Sequence, residues 1–415
     1  MAILKPFKAI RPRKELADKV AAFPYDVVNS KEAKIIAKDN PYSFLHVDKA
    51  EIDLEDGINI YNSKVYDKAK ENLNYMINNN ILIKDDKNYL YIYRLTMNGR
   101  AQTGIVGCTS IDDYDNNVIK KHEHTRKEKE EDRIRHIDVC NANTGPIFLA
   151  YKENKKISNI INEWVESNDP VYNFIKEDKI KHEVWVIDND IIIEKLVKLF
   201  KNTESLYIAD GHHRAASAVK VGKMRREKNP NYNGNEEFNF FLSVLFADTD
   251  LYIMDYNRVV KDLNGLSTEE YLSKVLEKFD LELYKNNGPY KPECEYTYGM
   301  YLEGKWYKLI AKKGTYNSND VVLNLDVSIL QNNLLSPILG IKDPRTDDRI
   351  DFIGGIRGLE ELEYRANNDM RIAFSMYPTS IKELMDVADE NKVMPPKSTW
   401  FEPKLRSGLF IHNLD

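Results

Sequence analysis

Residues 206 to 218 read Leu206-Tyr207-Ile208-Ala209-Asp210-Gly211-His212-His213-Arg214-Ala215-Ala216-Ser217-Ala218. An apolar run of strand length leads into a carboxylate and a glycine, then two imidazoles and a guanidinium, and then Ala-rich residues of high helix propensity. This order predicts a strand, a tight turn and a helix N-terminus. Free N–H groups of a first helical turn, with the helix dipole, attract anions there. Arg214 adds a planar fork suited to phosphate oxygens, and His212 and His213 can donate to the same oxygens. Asp210 can orient a histidine, hold a divalent ion or take a proton. The bland alternative is a buried polar turn in which Asp210 caps the helix. A zinc pair is disfavoured, because neighbouring histidines on a helix point about 100° apart, unlike an i, i+4 pair.

Working outward, Ile147–Tyr151, Val184–Ile187, Leu206–Ala209 and Phe240–Phe246 read as strands, with Leu251–Met254 as a further one. Ile157–Val165, Ile191–Phe200 and the run from His212 read as helices. Alternation of this kind predicts helices layered on a sheet. Upstream, the rhythm predicts a short strand at Phe7–Ile10, a helix at Arg13–Ala22, a constrained turn at Pro24–Val28 and a helix capped by Ser30. Val65–Leu82 has helical periodicity. Two strands, Tyr89–Met97 and Gln102–Ser110, flank Asn98-Gly99, a hairpin signal because both turn residues tolerate positive φ. Downstream, capping boxes at Ser267–Glu270 and Ser380–Glu383 open helices, and strands at Tyr296–Tyr301 and Trp306–Ala311 flank Glu303-Gly304-Lys305. The fold class is α+β (mixed α/β), divided as 1–142, 143–262 and 263–415.

A second cluster runs from Lys121 to His136. As a continuous helix it would align His122, Arg126, Lys129, Arg133 and His136 in one stripe facing a polyphosphate, with Glu123 and Lys127 paired at i, i+4. Its plain reading is an exposed helix stitched by ion pairs. Four of the eight histidines, His122, His124, His212 and His213, fall in these two clusters beside arginines. Weaker signals are Tyr25, Asp26 and His46 near the start, and Asn141–Gly145. Others are Gly354, Gly355 and Gly358, with Lys397-Ser398-Thr399 and Lys404 near the end.

The balance of 60 Lys+Arg against 66 Asp+Glu, a net charge of −6 over 415 residues, argues against generic nucleic-acid binding. No apolar run reaches the ~20 residues of a membrane span, so no membrane integration is expected. The start lacks signal-peptide character, which predicts the cytoplasm. Three dispersed cysteines suggest reduced, buried thiols rather than disulfides. No P-loop, Gly-x-Gly-x-x-Gly or Gly-x-Ser-x-Gly signature is present.

Five phrases together resemble a prokaryotic family long catalogued as a domain of unknown function. They are Pro6-Phe7-Lys8-Ala9-Ile10-Arg11-Pro12, Pro24-Tyr25-Asp26-Val27-Val28, Lys121-His122-Glu123-His124-Thr125, Asp210-Gly211-His212-His213-Arg214 and Met394-Pro395-Pro396-Lys397-Ser398-Thr399. Members are described as similar to the ParB-like free-serine kinases, a narrower likeness resting on Asp210 to Arg214. The resemblance implies a ParB-like nucleotide-binding core with additional N- and C-terminal mixed segments. It implies that Gly211, His212, His213 and Arg214 hold nucleotide phosphates, joined by His122, His124 and Arg126, and that Asp210 assists catalysis or holds Mg²⁺. Those kinases use an N-terminal glutamate as base; here Asp26 and Glu123 are the alternatives. Tyr25 and Arg133 would meet the substrate, with Arg126 or Arg133 on the amino acid's carboxylate and Asp26 on its ammonium.

The expectation is a kinase of free L-serine making O-phosphoserine from ATP or ADP with Mg²⁺. A non-catalytic nucleotide-sensing or ParB-like DNA-associated module and a metal-dependent hydrolase remain as alternatives. Nothing in the sequence decides between a monomer and a homo-oligomer.

Overall fold

A computed structural model describes residues 1–415. The chain forms two compact units, Met1–Leu251 with Pro403–Asp415, and Tyr252–Glu402. The sequence rhythm suggests three segments instead. The difference arises because strands on both sides of residue 142 hydrogen-bond into one sheet, which periodicity cannot foresee.

That sheet carries nine strands. Eight run in the order Ile119–Lys120, Leu206–Asp210, Ile147–Tyr151, Phe240–Ala247, Arg100–Ser110, Leu90–Met97, Lys181–Ile187 and Tyr172–Ile175, and Leu4–Lys5 pairs with Arg100–Ser110. Phe240–Ala247 sits near the centre, and its apolar run is buried from Phe241 onward. It runs parallel to Ile147–Tyr151 and antiparallel to Arg100–Ser110, so the sheet is mixed. The Asn98-Gly99 turn forms as expected, with φ of 52° and 80°. Leu206–Asp210 pairs antiparallel with Ile147–Tyr151 and ends in a register shift between Ile208 and Asp210. That shift turns the chain into the helix His212–Lys228.

Helices Lys155–Ser167 and Asp190–Lys201 bury apolar stripes in the core beneath this sheet, where Phe200 meets Tyr151 edge to face at 5.1 Å. A second core gathers the helices Ser30–Ala37, Leu45–Asp48 and Ser63–Asn78 with Cys140 and Ile411. The C-terminal return is woven into this unit. Ile411 and Ile10 exchange backbone hydrogen bonds, as do Ser407 and Ala22, and His412–Asn413 pairs with Ala142–Asn143.

Local differences have local causes. The helix expected over 13–22 is split into a 3₁₀ turn, Lys14–Leu16, and one α turn, Ala17–Val20. Asn29, not Ser30, caps the next helix, because its side chain accepts from Lys31 and Glu32 N–H while Glu32 closes the capping box. The helix expected to reach Leu82 stops at Asn78; Asn80 is left-handed and Leu82 opens a short strand. The strand expected from Leu251 is only Ile253–Met254.

The second unit carries a six-stranded antiparallel sheet. Both predicted capping boxes form there, Ser267 with Glu270 and Ser380 with Glu383. No helix of the chain is long and apolar enough to cross a membrane.

Phe200 is fully buried between sheet and helix. Phe200→Ala is expected to lower stability by about 3–5 kcal/mol, read as a shifted midpoint in urea unfolding.

Candidate functional site

The corner at Asp210 forms as the sequence predicts: a strand through Asp210, Gly211 at φ +95°, and a helix from His212 with no side chain capping it. The left-handed φ needs glycine. A Cβ there would also meet the Arg214 guanidinium at 3.1 Å. Arg214 is 7% exposed and folds back beneath the turn. It donates to the Pro146 carbonyl through Nη1 and to Asp210 Oδ2 at 3.3 Å through Nη2, while its buried Nε has no hydrogen-bond partner.

Burial alone would raise the Asp210 pKa, yet Lys404, Arg214 and the Gly211 N–H hold its carboxyl well below the usual range. So acidic a group is a poor proton acceptor near neutrality. Its chemistry here is that of a fixed negative charge.

The histidines divide by what their nitrogens already do. His122 and His212 meet edge to face, centroids 4.4 Å apart. His122 bonds the Ile208 backbone, its buried Nδ1 has no partner, and burial pushes its pKa down to about 4. His212 Nε2 faces the His122 N–H at 3.5 Å, and its Nδ1 lies 3.9 Å from Glu123. His213 Nε2 accepts from the Arg126 N–H at 2.9 Å, which places its own proton on Nδ1. Burial lowers the pKa of both His212 and His213. At neutral pH, therefore, His122 offers the corner an acceptor, and His213 keeps an N–H to donate.

The continuous helix expected from Lys121 begins only at Lys127. His122, Glu123, His124 and Arg126 lie on the preceding loop, so the stripe dissolves. Lys129 is exposed, whereas Arg133 and His136 are buried on the inner face. Lys127 pairs with Glu131 at 3.8 Å rather than with Glu123. His124 is exposed on the loop.

A cleft beside the corner is lined by Pro24, Tyr25, Asp48, Arg133, Thr144 and Arg214, among others. The Arg133 guanidinium stacks 4.0 Å over the Tyr25 ring, and its Nε donates to Asp132, which also accepts from Tyr66. The structure thus brings Tyr25 and Arg133 together. Asp26 is exposed, and its charge acts on Tyr25, His213 and Arg214. Asp48 is 5% exposed and accepts from the Thr144 hydroxyl at 2.8 Å. Asp48 went unnoticed in the sequence, since one aspartate in a short apolar helix carries no pattern. Thr144 belongs to the Asn141–Gly145 run already marked.

His46 is engaged elsewhere, on Asp53 at 2.8 Å. Gly354 and Gly355 serve packing rather than a ligand: a Cβ would strike Trp400 at 2.7 Å and Asp255 at 2.5 Å respectively. No group of three or more His, Cys, Asp or Glu side chains converges to hold an ion. Asp210 alone suits a Mg²⁺ ion that arrives with phosphate oxygens, because Mg²⁺ is commonly held by one or two carboxylates plus substrate phosphates.

The fold and this corner define a mixed α/β protein with an anion-receptive strand-to-helix turn. The model of the family described as protein of unknown function (DUF1015) matches residues 4–328, and the chain belongs to that family. No curated protein matches it. Among solved structures it is similar to a free serine kinase in complex with AMP, at 14% identity and TM-score 0.36, over 73% of this chain and 91% of that chain. A mutant of a free serine kinase in complex with ADP is similar at 13% and 0.36, over 74% and 93%. SbnI with a C-terminal truncation, from Staphylococcus aureus, is similar at 11% and 0.39, over 73% and 85%. These are distant likenesses.

Two outcomes are expected. Gly211→Ala, forced into left-handed φ against Arg214, loses about 1–2 kcal/mol or more in urea unfolding. His122, His212 and His213 are held neutral by burial, so the unfolded chain binds more protons between pH 6.5 and about 4. Their contribution to stability is complete above pH 6.5 and is lost as pH falls toward 4. Melting temperature should fall over that window, and His122→Asn should make the fall shallower; an unchanged profile would count against buried neutral His122.

Proposed function

We propose that this protein is a phosphotransferase that passes the terminal phosphoryl group of ATP or ADP to the hydroxyl of a small amino acid, free L-serine, giving O-phosphoserine. The observation that supports it most is the Arg214 guanidinium, buried with an unpartnered Nε at an uncapped helix N-terminus. Leaving a buried donor unpaired costs about 1–3 kcal/mol, and an incoming phosphate oxygen would supply the acceptor. The likeness of Asp210 to Arg214 to the free-serine kinase turn points the same way.

Phosphoryl transfer has a loose, charge-rich transition state, so catalysis is mainly positioning and charge stabilisation. In this reading the first-turn N–H groups, Arg214, the His213 Nδ1–H and Arg126 hold the phosphates. Asp210 holds Mg²⁺ when the nucleotide brings it, and the ion supplies further charge neutralisation. Arg133 takes the amino acid's carboxylate once Tyr25 moves aside, because the cleft in this conformation has only water-sized room. Asp26, beside Arg214, receives the hydroxyl proton as the acceptor oxygen bonds to phosphorus. The bond from phosphorus to the bridging oxygen breaks, and ADP or AMP leaves. Glu123, close to His212, is the second candidate for the base.

A nucleotide-consumption screen against amino acids and small alcohols tests the reading. Serine should be the acceptor. Asp210→Asn and Arg214→Ala should each lower turnover by about 100-fold or more while circular dichroism shows a folded chain. Full activity in both variants, or no nucleotide consumption with any acceptor, would overturn it.

A further inference from the structure

The cleft beside the corner holds acceptors that phosphate binding leaves unused. One is the carboxylate of Asp48, buried at the end of the helix Leu45–Asp48. The Thr144 hydroxyl donates to its Oδ1 at 2.8 Å, and no donor takes Oδ2. An ionised carboxylate has about four acceptor sites, so much of this capacity is unfilled. Arg133 pairs with Asp132 at 2.8 Å and Arg214 with Asp210 at 3.3 Å. Neither guanidinium makes a direct ion pair with Asp48, although the Asp48 charge acts on both.

His136 lines the same cleft and is buried as well. Burial, with Arg133 beside it, lowers its pKa, so the ring is neutral at pH 7. Its Nε2 faces the Val47 carbonyl at 3.0 Å. A carbonyl only accepts, so the single ring proton sits on Nε2 and Nδ1 is an acceptor. The cleft therefore combines two acceptor groups, Asp48 and His136, with two guanidinium groups, Arg133 and Arg214. Because Asp132 and Asp210 already pair with those arginines, the cleft carries no excess of positive charge. Such a lining suits a ligand with both signs better than a simple anion. A free α-amino acid is that kind of ligand: its carboxylate accepts a guanidinium fork, and its ammonium needs acceptors for three N–H groups.

We propose that Asp48, with His136, is the ammonium site of this cleft, so that the acceptor is recognised as a zwitterionic α-amino acid with Arg133 on its carboxylate. The inference rests on the phosphotransferase reading, which makes the cleft the acceptor pocket and has Tyr25 move aside to admit the ligand. Asp26, the ammonium partner expected from the sequence, is exposed, where water weakens its hold on a cation; it keeps the role of base. L-Glycerate has the carboxylate and the terminal hydroxyl of L-serine but a second hydroxyl in place of the ammonium. An ammonium site tells the two apart. A carboxylate that only tuned Arg133 would affect both alike.

Titration calorimetry of the full chain with L-serine and L-glycerate, with and without AMP, separates these cases. The wild-type chain should bind L-serine about tenfold or more tighter than L-glycerate. Asp48→Asn, which keeps the shape and an acceptor for Thr144, should weaken L-serine by about 10- to 100-fold, the range of one charge-assisted hydrogen bond, and bind L-glycerate at least as well as wild type. Melting curves establish that the variant is folded, and the wild-type comparison needs no variant. Equal wild-type affinity for the two compounds, equal losses of both in folded Asp48→Asn, or no binding of either compound overturns the ammonium site. Nucleotide consumption with another acceptor would then leave the phosphotransferase reading standing. Serine binding as predicted, with no nucleotide consumed, would keep the ammonium site and remove that reading.

Discussion

A buried guanidinium governs the architecture of the corner. Taking a charge out of water costs several kcal/mol unless hydrogen bonds and counter-charge surround it. Arg214 meets that condition through the Pro146 carbonyl, at the entry to the strand Ile147–Tyr151, and through Asp210, at the exit of the neighbouring strand. Two adjacent strands and one helix are therefore held by a single side chain. Gly211 follows from the same requirement, because only a residue without a Cβ leaves room for the guanidinium under a left-handed turn. The ionised state of Asp210 follows as well, with Lys404 and Arg214 beside it.

Around this charge the imidazoles are kept neutral and are partly used as structural clamps. His212 and His213 face backbone N–H groups of His122 and Arg126 through their Nε2 atoms, which fastens the loop before Lys127 to the first turn of the helix. The helix Lys127–Cys140 then runs beside His212–Lys228, with the Ser217 hydroxyl donating to the Glu130 carbonyl at 3.0 Å. It delivers Arg133 to the cleft that Arg214 also lines. The corner at Asp210 and a cleft with a second buried arginine thus share Arg214 as a wall.

Much of this was legible in the sequence, for physical reasons that can be named. Residues 206–214 declared a strand, a turn and a helix because apolar run, glycine and alanine-rich segment are local signals, and the Asn98-Gly99 hairpin and both capping boxes are local too. The misread parts are those decided at a distance. Lys121–His136 has the composition of one amphipathic helix, but tethers from His212 and His213 hold its first residues as a loop. Asp48 and Thr144 meet across 96 positions, and Lys404 reaches Asp210 across 194. Neither separation leaves a trace in periodicity. Gly354 and Gly355 resembled a ligand approach, yet Trp400 and Asp255 fill the space.

The claim that joins these observations is that nucleotide phosphates enter at the start of the helix His212–Lys228. A crystal structure of the chain grown with ADP and Mg²⁺ addresses it directly. The account predicts a terminal phosphate oxygen about 2.7–3.2 Å from first-turn N–H groups and from the Arg214 guanidinium. Density for the nucleotide at another place, with Arg214 and Asp210 unchanged and the turn closed, would contradict it.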